Sequence, residues 1–186
     1  MVYRFLILSD EVANFKREIQ ISSEATFLDL HHAILDATNF ARNEICSFFI
    51  CEDDWSKKVE ITLVDMGASS EVDIYLMENT LLEDLIEEER QKLLYIFDYM
   101  YERAFFMELS EIITGKNLEK PICSLSAGQP PVQMLTIEEV EKSVEHLDLG
   151  EDFYGDSDFN EDELDSLDGD YDRESIDSIF DDERYF

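Results

Sequence analysis

Apolar and polar positions alternate along residues 15–21. Phe15, Ile19 and Ile21 fall on one side, and Lys16, Glu18 and Gln20 on the other. A period of two predicts a half-buried strand. Residues 2–8, with the run YRFLIL, predict a second strand, and the polar SDEVAN between them a turn. After Thr26 the period changes to that of a helix: Phe27, Leu30, His31, Ile34 and Leu35 form one stripe at i, i+3, i+4, i+7 and i+8. The Thr26 hydroxyl can cap the free N–H groups of the first turn, with Asp29 completing a capping box.

Two more strands are expected in ICSFFIC, residues 45–51, and VEITLV, residues 59–64, followed by a loop over 67–73. Thr80 and Glu83 have the spacing of a second capping box, ahead of a short helix over LLEDLI. KLLYIFDY and AFFMELSEI predict a pair of strands, the second with Phe105, Met107 and Leu109 on one face and Phe106 and Glu108 on the other. Residues 114–135 carry Gly115, Pro121, Gly128, Pro130 and Pro131, which mark a crossing segment or a linker. Thr136 and Glu139 open a C-terminal helix over 136–147, striped by Ile137, Val140, Val144 and Leu147. Locally clustered strands with few helices predict an α+β fold: a mixed, largely antiparallel sheet packed on one main helix, with a short second helix and a C-terminal helix. The domain is expected over 1–147, followed by a mobile acidic tail over 148–186.

Charge changes the picture at the C-terminal end. The 186 residues hold 46 acids and 14 bases, a net charge of -32. Residues 148–186 alone hold 17 acids and 2 bases. A phosphate backbone is bound by clustered Lys and Arg. The longest basic runs here are the pairs Lys16-Arg17 and Lys57-Lys58, so direct nucleic-acid binding and adhesion to anionic lipid are disfavoured. Apolar stretches fall short of the roughly 20 residues that span a bilayer, and the N-terminal run lacks the marks of a signal peptide. Three cysteines without CxxC spacing read as reduced thiols of a cytoplasmic protein. Cys46 and Cys51, five residues apart, would face opposite sides of a regular strand.

The tail could hold calcium, imitate a nucleic acid or solvate the chain. An EF-hand loop needs oxygen ligands at positions 1, 3, 5 and 12 and Gly at 6. Counting from Asp156, Glu161 stands at 6 and Leu167 at 12; from Asp168, Arg173 and Ile179 stand there. Both registers fail. Acidic residues interleaved with Phe153, Tyr154, Phe159, Tyr171 and Phe180 have the composition of a segment that docks in short pieces, on a basic protein partner if on any.

Several motifs, taken in order, carry a family resemblance. TFLDLHHAILDATNF holds the pair Leu30-His31 with Ile34 three on; Asn39-Phe40 stands where a Gly-Trp pair is usual. Glu44-Ile45-Cys46-Ser47-Phe48 matches a His-Leu-x-x-Phe element without its His. Tyr95 and Asp98 keep two positions of Tyr-x-Tyr-Asp-Phe-Gly-Asp-x-Trp, whose Gly, second Asp and Trp are replaced. Pro121-Ile122-Cys123 and Pro130-Pro131 echo a Pro-x-Cys element and a downstream Pro-Pro-Glu-Asp. Over about residues 3–133 the chain resembles the plasmid open-reading-frame-three-like proteins, named from a root-inducing plasmid and found also beside mobile elements. The resemblance implies a compact α+β domain and no established activity.

His31 with Asp98, and Tyr95 or Tyr99 nearby, is the candidate polar cluster. It would be a general base or metal ligand, or else, as we favour, a buried imidazole that fixes the helix on the sheet. No second His or Cys is placed for a metal, so no metal or cofactor is expected. No GxSxG or glycine-rich phosphate loop is present. Trp55, the only tryptophan, follows Glu52-Asp53-Asp54; it is either an exposed recognition corner or, as favoured, a turn packed on the core. These observations lead to the expectation of a non-catalytic cytoplasmic interaction protein with an unknown partner, basic in charge if the tail binds it. The alternatives are an acidic nucleic-acid mimic that sequesters a basic DNA-binding protein, and an enzyme with a pocket around His31 and Asp98.

Overall fold

The computed structural model describes residues 1–64 and 75–135. The alternating run forms the hairpin of β1, Val2–Leu8, and β2, Lys16–Ser22, in antiparallel register from Val2↔Ser22 to Leu8↔Lys16. Helix α1, Phe27–Thr38, follows. The Thr26 Oγ1 accepts from the Asp29 N–H at 3.1 Å and the Asp29 carboxylate accepts from the Thr26 N–H at 3.0 Å, which closes the expected capping box. The helix ends at Asn39, whose φ of 58° is a left-handed conformation that Asn tolerates; its N–H donates to Leu35 O.

The remaining strands are β3, Ser47–Cys51; β4, Lys57–Thr62; β5, Tyr75–Leu76; β6, Lys92–Asp98; β7, Arg103–Ile113; and β8, Ile122–Ala127. They join β1 and β2 in one eight-stranded sheet of order β5-β4-β3-β6-β7-β1-β2-β8. Among the described residues only the β4–β5 pair is parallel. The fold is α+β, mixed and largely antiparallel, and sheet dominates it. Among the described residues α1 is the main helix.

The larger core lies between α1 and one face of the sheet. Phe27, Leu30 and Ile34 meet Phe5, Ile19, Phe48, Tyr95, Phe97 and Phe105 there, all fully buried. Burying each such side chain contributes about 1.5–3 kcal/mol. A second cluster lies on the opposite face, made of Leu6, Leu8, Cys51, Trp55, Leu94, Ile96, Ala104 and Phe106. Cys46 belongs to the first cluster and Cys51 to the second, so the two thiols do sit on opposite faces, both unoxidised.

Two expectations need correction or narrowing, and three fall outside the described residues. The short second helix is a single 3-10 turn, Leu82–Asp84, because both residues of its expected capping box are engaged elsewhere. The Thr80 hydroxyl donates to Leu76 O at 2.9 Å, and the Glu83 carboxylate accepts from the Ser23 hydroxyl at 3.0 Å. The segment 114–135 is a crossing segment that contains a strand: β8 pairs with β2 at the sheet edge. The loop over 67–73, the helix over 136–147 and the tail over 148–186 lie outside the described residues.

Candidate functional site

The candidate polar residues start from α1 and β6. His31 lies on the apolar stripe of α1 and is 2 % exposed. Its Nδ1 stands 2.8 Å from the Tyr95 hydroxyl, which rises from β6 beneath it. Burial, reinforced by His32 and Arg42, lowers the imidazole pKa to about 4, so at neutral pH the ring is uncharged. Burial also raises Tyr95 well above the ordinary phenol value, with Cys46 adding to the effect. A hydroxyl that keeps its proton and a neutral imidazole share one hydrogen bond, whose direction the ring tautomer sets. The pair joins the helix to the sheet.

Asp98, at the end of β6, has a different set of partners. Its Oδ1 accepts from the Met100 N–H at 3.0 Å, and its Oδ2 from the Arg103 guanidinium at 3.3 Å. The Tyr99 hydroxyl donates to the Glu60 carboxylate at 2.8 Å and is hydrogen-bonded to the Ser47 hydroxyl. Burial, followed by effects that include Glu60, raises its pKa. The four residues of the candidate cluster are thus divided among three hydrogen-bonding groups: His31 with Tyr95, Asp98 with Arg103, and Tyr99 with Ser47 and Glu60.

Trp55 is 1 % exposed. Its φ of 68° turns the chain back, and its ring meets Phe106 edge-on with centroids 4.9 Å apart, while Lys92 Nζ stands 4.6 Å above it. Phe153, Tyr154, Phe159, Tyr171 and Phe180 lie outside the described residues.

Two buried arginines were missed in the sequence. Arg103 makes a two-pronged pair with Glu11, Nε to Oε1 at 2.9 Å and Nη2 to Oε2 at 2.7 Å, and donates to the carbonyls of Val132 and Gln133. Burial works against its charge, but Glu11 and Asp98 more than offset this, and its pKa is raised. Arg17 donates to backbone carbonyls: Ala37 at 2.9 Å, Ala127 at 2.5 Å and Gly128 at 3.2 Å. It ties the end of α1 to the end of β8. The signal was available, since Arg17 shares its parity with Phe15 and Ile19 and so falls on the apolar face of β2.

An open groove of about 790 Å³ lies between the β3–β4 turn and the segment leading into β6. Seven carboxylates and three cations line it; Glu52, Asp53, Glu87 and Glu88 are among the acids, and Lys58 pairs with Glu52 at 2.8 Å. No group of three or more His, Cys, Asp or Glu side chains among the described residues is placed to hold a metal ion. No helix among them is long and apolar enough to cross a membrane.

A family model described as "Plasmid pRiA4b ORF-3-like protein" matches residues 2–179. A crystal structure of a protein of unknown function from Methanosarcina mazei Go1 is similar in fold, with a TM-score of 0.51 and 21 % identity over 67 % of this chain and 68 % of that one. No curated protein matches the chain.

Proposed function

From the premise that the chain belongs to the plasmid pRiA4b ORF-3-like family, we propose that it is a non-catalytic protein-interaction module of the cytoplasm, associated with mobile elements as the plasmid name of its family suggests. The partner is a basic protein. The observation that carries this reading is the carboxylate-lined groove, an open concave surface of one predominant charge on a chain of net charge -32. Such a surface concentrates and orients a cationic partner, and the acidic residues of 148–186 extend the same field. The dispersal of His31, Asp98 and Tyr99 among separate structural partners supports binding over turnover.

The test uses Glu87→Lys with Glu88→Lys in the full chain. Both side chains are exposed, so the variant should melt like its parent. Capture from native lysate, eluted by a salt gradient, should recover a basic protein on the parent and at least tenfold less on the variant. Equal recovery on both would sink the groove reading. Competition by duplex DNA for the captured protein would identify it as a DNA-binding protein, and the chain as a nucleic-acid mimic.

A further inference from the structure

The second face of the sheet needs a cover. Leu94 and Phe106 are fully buried on it, Ile96 is 2 % exposed and Leu8 3 %. An antiparallel sheet that shows one face to water alternates apolar with polar residues. β6 and β7 do not alternate. KLLYIFD and RAFFMEL place apolar side chains on both faces, the pattern of strands buried on two sides. Yet the described elements outside the sheet pack on the first face. Helix α1 and Leu82 of the 3-10 turn belong to its core. Residues 128–133 are fixed there as well, by Arg17 to Gly128 and by Gln133 to Ala41. Against the second face the described residues bring the Trp55 turn.

We propose that residues 171–186 of this chain close the second face of the sheet. The segment YDRESIDSIFDDERYF carries Ile176, Ile179 and Phe180 at helical i, i+3, i+4 spacing, then Tyr185 and Phe186. It combines these apolar groups with six acids. The face it would meet is apolar at its centre and has Lys16, opposite Leu8 in register, Lys57, over the Phe49 ring, and Lys92, over the Trp55 ring, around it, with the carboxylates of Glu18 and Glu108 between them, each opposite Leu6 in register. Cations rimming an apolar patch match an apolar stripe flanked by carboxylates. The family match is the independent argument. It runs to residue 179 and so includes Ile176 and Ile179, which places this stripe with the shared domain and outside any variable appendage. The inference does not rest on the basic-partner reading. It separates the acidic region into two parts, with 171–186 on the sheet and 148–170 left to a partner.

Trp55 makes the test direct, because the sole tryptophan of the chain lies on this face. In the full-length protein, Ile179→Ala with Phe180→Ala should shift Trp55 fluorescence to the red and raise its quenching by acrylamide severalfold, with the far-ultraviolet signature of the sheet retained. Phe153→Ala with Phe159→Ala should leave the emission where it was. Amide exchange on the unaltered chain should find 174–182 protected. Emission unmoved by the first pair, or moved equally by both, overturns the proposal. So do freely exchanging amides over 174–182, which decide the matter even if the first variant fails to fold. Emission that changes with protein concentration would give the face to a second copy of the chain and likewise overturn it.

Discussion

At the scale of single residues, the chemistry of this protein is mostly structural. His31 is the clearest case, because a pKa of about 4 has a consequence for stability. In the unfolded chain the imidazole titrates near its ordinary 6.5. Between the two values the unfolded state binds a proton that the folded state does not. The contribution of His31 is therefore complete above about pH 6.5 and declines with acid down to about pH 4, by about 1.4 kcal/mol per pH unit. His31→Gln should flatten this part of the curve of melting temperature against pH. At pH 7 it should cost about 1 kcal/mol, for the hydrogen bond to Tyr95. A variant whose stability falls as steeply as the parent's between pH 6.5 and 4 would show that some other group sets the acid limit.

At the scale of elements, the prediction lies at the end of β8. Gly128 has a φ of 64°, and a Cβ built there would stand 2.2 Å from Asn14 O. The obstacle is backbone, not the end of a flexible side chain, and the carbonyls of Ala127 and Gly128 are also the acceptors of Arg17. Gly128→Ala should therefore cost on the order of 1–3 kcal/mol and loosen β8, read as faster amide exchange over 122–127 than in β6. Uniform loss of protection in both strands would mean that β8 is not a separable edge. β8 also shows where sequence reading stops. β2 and α1 were legible because each has one apolar face with the right period, and β1 because it is an apolar run of strand length. ICSLSA is exposed along its whole length and bracketed by glycine and proline, so it offers no periodic signal. Its place is set by the ladder with β2 and by the Arg17 clamp, and both are long-range. The Thr80–Glu83 pair fails for a related reason. A capping box is local, whereas Leu76 and Ser23 compete for those side chains from other elements. The candidate cluster was legible in part: the burial of His31 followed from its stripe, but its partner Tyr95 and the separation of Asp98 depend on strand order.

At the scale of the whole molecule, charge opposes compactness. A chain of net charge -32 repels itself, and salt screens that repulsion over about 8 Å at physiological ionic strength. The partly buried Arg103–Glu11 pair is screened less than exposed charges are. Added salt should consequently raise the melting temperature between 0.01 and 0.5 M by weakening repulsion more than it weakens attraction. The largest local density of charge is 148–170, which holds 11 acids and no base. Replacing that stretch with an uncharged Gly-Ser segment of equal length keeps 171–186 tethered while removing 11 negative charges. The replacement should leave the Trp55 emission unchanged, raise the melting temperature at low salt and reduce its dependence on salt. It should also weaken retention of a basic partner without abolishing it, since the groove stays intact. A salt dependence identical to the parent's would locate the repulsion outside 148–170, with the carboxylates of the groove among its sources.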